Sequence, residues 1–297
     1  MESGPSLPLL EEFCAWSRAE LAETDSWRET LSEGEITALA ETVRGLSRQR
    51  ADVAAIQGAD ALPPPLRSRL PGLSDALTFG RGFCILRRLP LERLAHAEAE
   101  QLFRSLAGHF GRLRAEPDGG ESSSCEGYTF AATEGDVLAR LCLRAPRAGG
   151  EMRLVSAVAL HNEMARCRPD LLPHFYAPLG KARPLFSVRA ERLDAHLDAR
   201  FALLAAEGGA ADLNDDQRQA FALFHALVEE LALDIDFEPG DALFANTHRV
   251  LVAQGSHENY AELGKDHALM RLSLVNERLR ADQITERGKS AHAQAAA

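Results

Sequence analysis

The stretch FAATEGDVLARLCLR, Phe130 to Arg144, decides how this chain folds. An apolar lead-in meets a turn, and DVLARLCLR then reads as a short, buried strand ending in Cys142-Leu143-Arg144. RAPRAGGEM follows as a turn carrying two glycines. Beyond it RLVSAVALHNEMARCRPDLL reads as a strand running into a helix that stops before Pro169.

The same punctuation extends outward in both directions. Upstream, GRGFCILRRLP (Gly80–Pro90) is a buried strand entered through glycines and ended by proline, and LERLAHAEAEQLFRSLAGHFG is an amphipathic helix closed by Gly111. Downstream, NDDQRQAFALFHALVEELAL is a helix starting at Asn214. DIDFEPGDALFANTHRVLVAQ and ALMRLSLV are β-like, with a turn at Glu238-Pro239-Gly240-Asp241 in which Asp241 satisfies backbone donors. Residues 1–60 carry apolar residues at helical spacing; Ser32 with Glu35 makes a capping box and Gly58 a stop. ALPPPLRSRLPGL reads as a proline-rich connector, and the tail after Glu277 is polar and alanine-rich. The pattern predicts an α+β fold around a β-sandwich or jelly roll. A helical N-terminal extension over 1–66 packs on a core domain at 67–277, followed by a flexible tail at 278–297.

With 297 residues and 45% hydrophobic side chains the chain can bury a sizeable core. A net charge of −11 argues against nucleic acid or an anionic membrane as the main partner. Five cysteines without paired spacing (Cys14, Cys84, Cys125, Cys142, Cys167) fit buried free thiols, Cys84 and Cys142 in the core and Cys125 alone exposed. The N-terminus lacks a secretory signal pattern and no apolar run reaches membrane-spanning length, so the expected location is cytoplasmic.

The order of GRGFCILRRLP with its helix, DVLARLCLRAPRAGGEMRLVSAVALHNEMARCRPDLL, EPGDALFANTHRVLVAQ and HALMRLSL resembles the TauD/TfdA (taurine dioxygenase-like) family of iron(II)/2-oxoglutarate oxygenases, from about Gly80 to Leu274. The resemblance implies a double-stranded β-helix (jelly roll) with flanking helices. It also implies an iron held by a His-x-Asp pair and a distal His. At those positions this chain has Ala131, Thr133 and Val252. Alanine and valine have no lone pair to give, so neither iron(II) nor 2-oxoglutarate is an expected cofactor. Of the co-substrate positions, Met152 stands where relatives carry Ser or Thr, and Gln254 where they carry an arginine. Arg271 remains at the position whose guanidinium forks onto a carboxylate in relatives.

Arg271, Asn246 and Met152 are therefore the candidate ligand-binding residues, and His248, His257, His267 and Glu134 the candidate proton-moving ones. Four residues is an even step along a strand, so His248 can share a face with Val252. His161 is read as a buried, hydrogen-bonded structural residue. Three functions stay open: a metal-free binder of a small anionic or amino-acid-like metabolite, a repurposed enzyme running acid–base chemistry, and an oxygenase with displaced ligands. A homo-oligomer built on the N-terminal helices is a further expectation.

Overall fold

The structure is a computed structural model that describes residues 7–48, 62–114, 128–131, 135–144, 151–179, 181–189, 192–206, 213–255 and 269–279. The chain runs α1 (Arg18–Ala22), β1 (Arg28–Thr30), α2 (Glu33–Arg48), α3 (Pro64–Thr78), β2 (Phe83–Arg87), α4 (His96–Phe110) and β3 (Arg112–Leu113). It continues with β4 (Tyr128–Phe130), β5 (Val137–Cys142), β6 (Met152–Ser156), α5 (Ala157–Cys167), β7 (Phe186–Arg189) and β8 (Arg192–Ala195). The last elements are α6 (Ala199–Ala206), α7 (Asp215–Leu231), β9 (Leu233–Ile235), β10 (Ala242–Asn246), β11 (Val250–Gly255) and β12 (Leu269–Val275).

Two sheets face each other. One has six strands in the order β1-β2-β10-β5-β12-β3, the other four in the order β4-β11-β6-β9, and β7-β8 forms a separate hairpin. β5, the strand of the opening stretch, is buried along its whole length and pairs antiparallel with β10 on one side and β12 on the other. Alternation along each strand sorts the side chains into layers. Val137, Ala139 and Leu141 point outward with Phe244, Leu272 and Leu274 into a core covered by α2, α3 and α4. Phe110 of α4 lies 4.3 Å from Phe244, ring to ring. Leu138 points the other way, joining Leu243, Leu154, Val250 and Val252 between the sheets. The outer face of the smaller sheet, through Val155, Leu251 and Ala253, packs on α5, α6 and α7 around Phe175, Phe221 and Phe224.

Local chemistry explains the helix starts. Ser32 and Glu35 form the expected capping box, with Ser32 N donating to Glu35 Oε2 at 2.9 Å. Asn214 caps α7 in the same reciprocal way with Gln217. Gly240 has φ +90°, and a Cβ there would stand 2.7 Å from Leu89 O, so the turn into β10 needs glycine.

The structure corrects several expectations. The proline-rich connector is α3: Pro64 and Pro65 occupy the first turn, where a missing N–H costs nothing, and Leu66, Leu70, Leu73 and Leu77 are buried. The N-terminal region is not purely helical, because β1 joins the six-stranded sheet parallel to β2, Arg28 facing Ile85. The described part of α2 ends at Arg48, and Gly58 lies outside the described residues. Cys84 and Cys142 are buried as expected, but Cys167, at the end of α5, is exposed, and Cys125 lies outside the described residues.

Candidate functional site

Two groups of charged side chains are held largely out of solvent, and they differ in kind. The first centres on His248. The residue lies in the turn between β10 and β11 and not on a strand, so its inferred shared face with Val252 does not hold. Its Nε2 is 2.8 Å from Asp136 Oδ1 and its Nδ1 2.6 Å from Asp194 Oδ1. Burial opposes the imidazolium, but the two carboxylates outweigh it and raise its pKa to about 9. Asp194 pays a burial penalty as well, yet His248 and then Arg189 and Arg249 hold it below the usual carboxylate range.

Asp136 also accepts the backbone N–H of Asn276 at 2.8 Å, and Thr247 Oγ1 donates to Gly135 O at 2.8 Å. The cluster thus ties the entry to β5, the β8 strand, the β10–β11 turn and the end of β12. Asn246 belongs to the same frame. It is fully buried, its Nδ2 donates to Leu77 O at 3.0 Å, and its Oδ1 accepts from His248 N at 3.0 Å. With both ends of its amide given to backbone, Asn246 is a structural residue. His161 is likewise buried, 3.3 Å from Asn162 Oδ1 and edge-on to Tyr176 and Phe186.

The second group lies on β5 and β12. Arg140 and Arg271 are directly opposed across the two strands, with Cα atoms about 4.5–5.5 Å apart as in any antiparallel pair. Their strand neighbours Ala139, Leu141 and Leu272 face the outer core, so both arginines face the second sheet. Arg140 is 5% exposed. Its Nη1 donates to Gln254 Oε1 at 2.8 Å and approaches Met152 Sδ at 3.5 Å. Among the described residues no carboxylate pairs with it, and its Nε finds no acceptor. Burial, and then the charge of Arg271, push its pKa down to about 9. Sequence reasoning picked out Arg271, Met152 and Gln254 but not Arg140; a lone arginine in the middle of an apolar run was the available signal.

Between the two groups lie the positions that the resemblance gives to iron ligands. Ala131 N donates to Val252 O at 2.8 Å, so these positions meet across the small-sheet edge, and both side chains join the apolar interior. Ala131, Leu138, Ala195, His196, Thr247, Val250 and Val252 line a pocket there. Among the described residues no group of three or more His, Cys, Asp or Glu is placed to hold a metal ion. His248, Asp136 and Asp194, near by, are committed to one another. Ala131 and Val252 themselves present hydrocarbon side chains with no donor atom for a metal. Thr133, Glu134, His257 and His267 lie outside the described residues. His196, which sequence reasoning passed over, stands at the pocket with no acceptor or donor for its Nε2 among the described residues. Burial and then Arg183 lower its pKa, so it is neutral at neutral pH.

The fold has solved counterparts. Asparagine oxygenase in complex with Fe(II), 2S,3S-3-hydroxyasparagine and succinate matches with a TM-score of 0.64, at 16% identity over 84% of this chain and 93% of that one. The non-heme iron oxygenase OrfP, as a D157A mutant in complex with (3S)-hydroxy-L-Arg, matches with a TM-score of 0.59, at 15% identity over 86% and 97% of the two chains. The chain has the fold of non-heme iron oxygenases. By sequence it is 23% identical to FR-33289 synthase of Streptomyces rubellomurinus (strain ATCC 31215), across 86% of this chain and 87% of that protein. No protein-family model matches the chain. Among the described residues no helix is long and apolar enough to cross a membrane.

Proposed function

We propose that this chain is a TauD/TfdA-like protein with a double-stranded β-helix core that binds a small carboxylate-bearing or amino-acid-like metabolite without iron-dependent oxygenation. The observation that carries the reading is the meeting of Ala131 and Val252 at 2.8 Å, backbone to backbone, with hydrocarbon side chains where the resemblance expects metal donors. Arg271, facing inward from β12, supplies the cation for the ligand's carboxylate. That two solved neighbours were crystallised with amino-acid derivatives supports the ligand class.

The test is an anaerobic titration of the metal-analysed protein with iron(II) and 2-oxoglutarate, read by the visible charge-transfer band of their chelate. The expected result is no band; its appearance sinks the reading in favour of an oxygenase with displaced ligands.

One observation favours a second reading, acid–base catalysis in the same pocket. His196 is neutral, lines the pocket and has a free nitrogen among the described residues, so it can accept a proton from a bound substrate. His248 does not serve that role as it stands, since both its nitrogens are held by carboxylates. An activity that survives chelation, needs no oxygen and disappears in His196→Gln would establish this reading over simple binding.

A further inference from the structure

We propose that the N-terminal segment 7–16 is a releasable strap and that Glu12 is its catch. Glu12 is an internal carboxylate ligand in a seat built by Arg249, Arg192 and the Leu193 amide, and the seat opens to a small carboxylate from solvent when the strap lifts. The residues of the seat are not those that line the pocket of the reading above, and the proposal is independent of what that pocket binds.

Three donors converge on the one carboxylate. Leu193 N donates to Glu12 Oε1 at 2.8 Å, Arg249 Nη1 donates to Oε2 at 2.9 Å, and Arg192 Nε lies 3.4 Å from the same oxygen. Arg249 is 2% exposed, and Glu12 is the carboxylate it bonds. Its Nη1 also donates to Leu193 O, while its Nε and Nη2 find no acceptor among the described residues. A backbone N–H and two guanidiniums around one carboxylate make a ligand site in miniature. Here the ligand is part of the chain, brought from 181 residues away to Leu193 and from 237 residues away to Arg249.

The way the strap is held permits its release. Residues 7–16 form no strand and join neither sheet. Besides Glu12 there are three clasps. Asn162 takes both backbone groups of Leu10, its Oδ1 accepting from Leu10 N and its Nδ2 donating to Leu10 O, each at 2.8 Å. Ser156 Oγ donates to Cys14 O. Trp16 is buried edge-on against Phe83 and donates its Nε1 to Arg81 O at 2.8 Å, which makes it the fixed end. Leu9 and Phe13 face outward, exposed, and add nothing to the grip. A segment without ladder bonds opens at less cost than the whole fold. Lifting it leaves Arg249 buried without its partner, so a carboxylate that takes the place of Glu12 binds only the lifted state and shifts the balance toward it.

The test is replacement of the Glu12 carboxylate by acetate. It is read on the full chain by thermal unfolding and hydrogen exchange, in sodium acetate against sodium chloride at matched ionic strength and neutral pH. Glu12→Ala is expected to lower the Tm and acetate to restore part of it, binding this variant about tenfold or more tightly than the wild type, where Glu12 competes. Adding Arg249→Met is expected to abolish the acetate response. Where that double variant does not fold, adding the partly exposed Arg192→Gln serves instead and is expected to weaken acetate about tenfold. Glu12→Gln keeps the shape and loses the charge. Its amides at 10–14 are expected to exchange about tenfold faster while those of β5 keep the wild-type rate, and this result decides if Glu12→Ala fails to fold. The proposal is overturned if acetate protects Glu12→Ala no more than chloride does, or if it moves the wild type as far as the variant. It is also overturned if the strap and β5 amides speed up together in Glu12→Gln, which would make Glu12 part of the global frame. None of these three results touches the iron-free reading of the pocket, which the iron titration tests by itself.

Discussion

His248 and Arg140 are both cations held largely out of solvent, and their surroundings are opposite. His248 sits between two carboxylates, each within 2.8 Å, and ties together four chain segments. Arg140 sits beside Arg271, Gln254 and Met152. A buried charge with its counter-ions in place strengthens the frame that holds it. A buried charge lacking them weakens the empty protein and is kept for what it binds. The contrast assigns the first region to architecture and sets the second apart from it.

The sharpest way to break this contrast is to remove a carboxylate from the first region. Asp136→Ala leaves His248 half-paired and the Asn276 N–H without its acceptor. It should cost about 3–5 kcal/mol in urea unfolding; a loss under 1 kcal/mol would show that the cluster is not structural.

Raising the pH attacks the same region more gently. The folded-state pKa of His248 is raised to about 9, so its contribution is complete below the unfolded-state value and is lost as pH climbs through about 9. Stability should fall by on the order of 2–3 kcal/mol between neutral pH and about pH 10. In His248→Gln that alkaline fall should flatten, which a urea series at several pH values would detect. Asp194 has the opposite sign: its depressed pKa makes its share present above the ordinary carboxylate range and lost as pH falls through the folded value.

In the second region the sign of the mutational effect reverses. Arg140→Met should raise the stability of the ligand-free protein by about 1–2 kcal/mol, since a thioether neighbour and an apolar interior accept methionine without desolvating a charge. A destabilisation of similar size would place Arg140 with the frame. The smallest effect is the most diagnostic. Gln254→Glu puts a carboxylate where the amide oxygen now stands 2.8 Å from Arg140 Nη1. It should add about 1 kcal/mol in urea unfolding, because the Arg140 guanidinium then has a carboxylate beside it.

The elements were legible wherever a local rule governs them. Ser32-Glu35 and Asn214-Gln217 cap their helices because a capping box needs only residues three apart. β5 was legible because a short apolar run bounded by turns has few other uses. The α3 helix was not, since its prolines look like a connector until one sees that Pro64 and Pro65 occupy the tolerant first turn, that the helix runs on through Pro71, and that Leu66, Leu70 and Leu73 have a sheet to cover. β1 was missed for a similar reason: three residues, Arg28–Thr30, carry no periodicity, and only the edge of β2 gives them a partner.

The candidate site divides along the same line. The amino-acid order by itself determined which residue types occupy the positions of interest: alanine and valine at 131 and 252, methionine at 152, glutamine at 254 and arginine at 271. Identity at a position is local information and needs no fold. What those residues face was decided only by the tertiary structure. Period-two alternation places Arg140 opposite in direction to Ala139 and Leu141, but cannot say which direction is inward. The helices packed on one face of the six-stranded sheet settle that question, and the second sheet brings Gln254 and Met152 to Arg140 from over a hundred and from about a dozen residues away. His248 likewise met its carboxylates only across 112 and 54 residues of chain. Whether a buried charge is paired depends on such long-range encounters, and no local pattern encodes them.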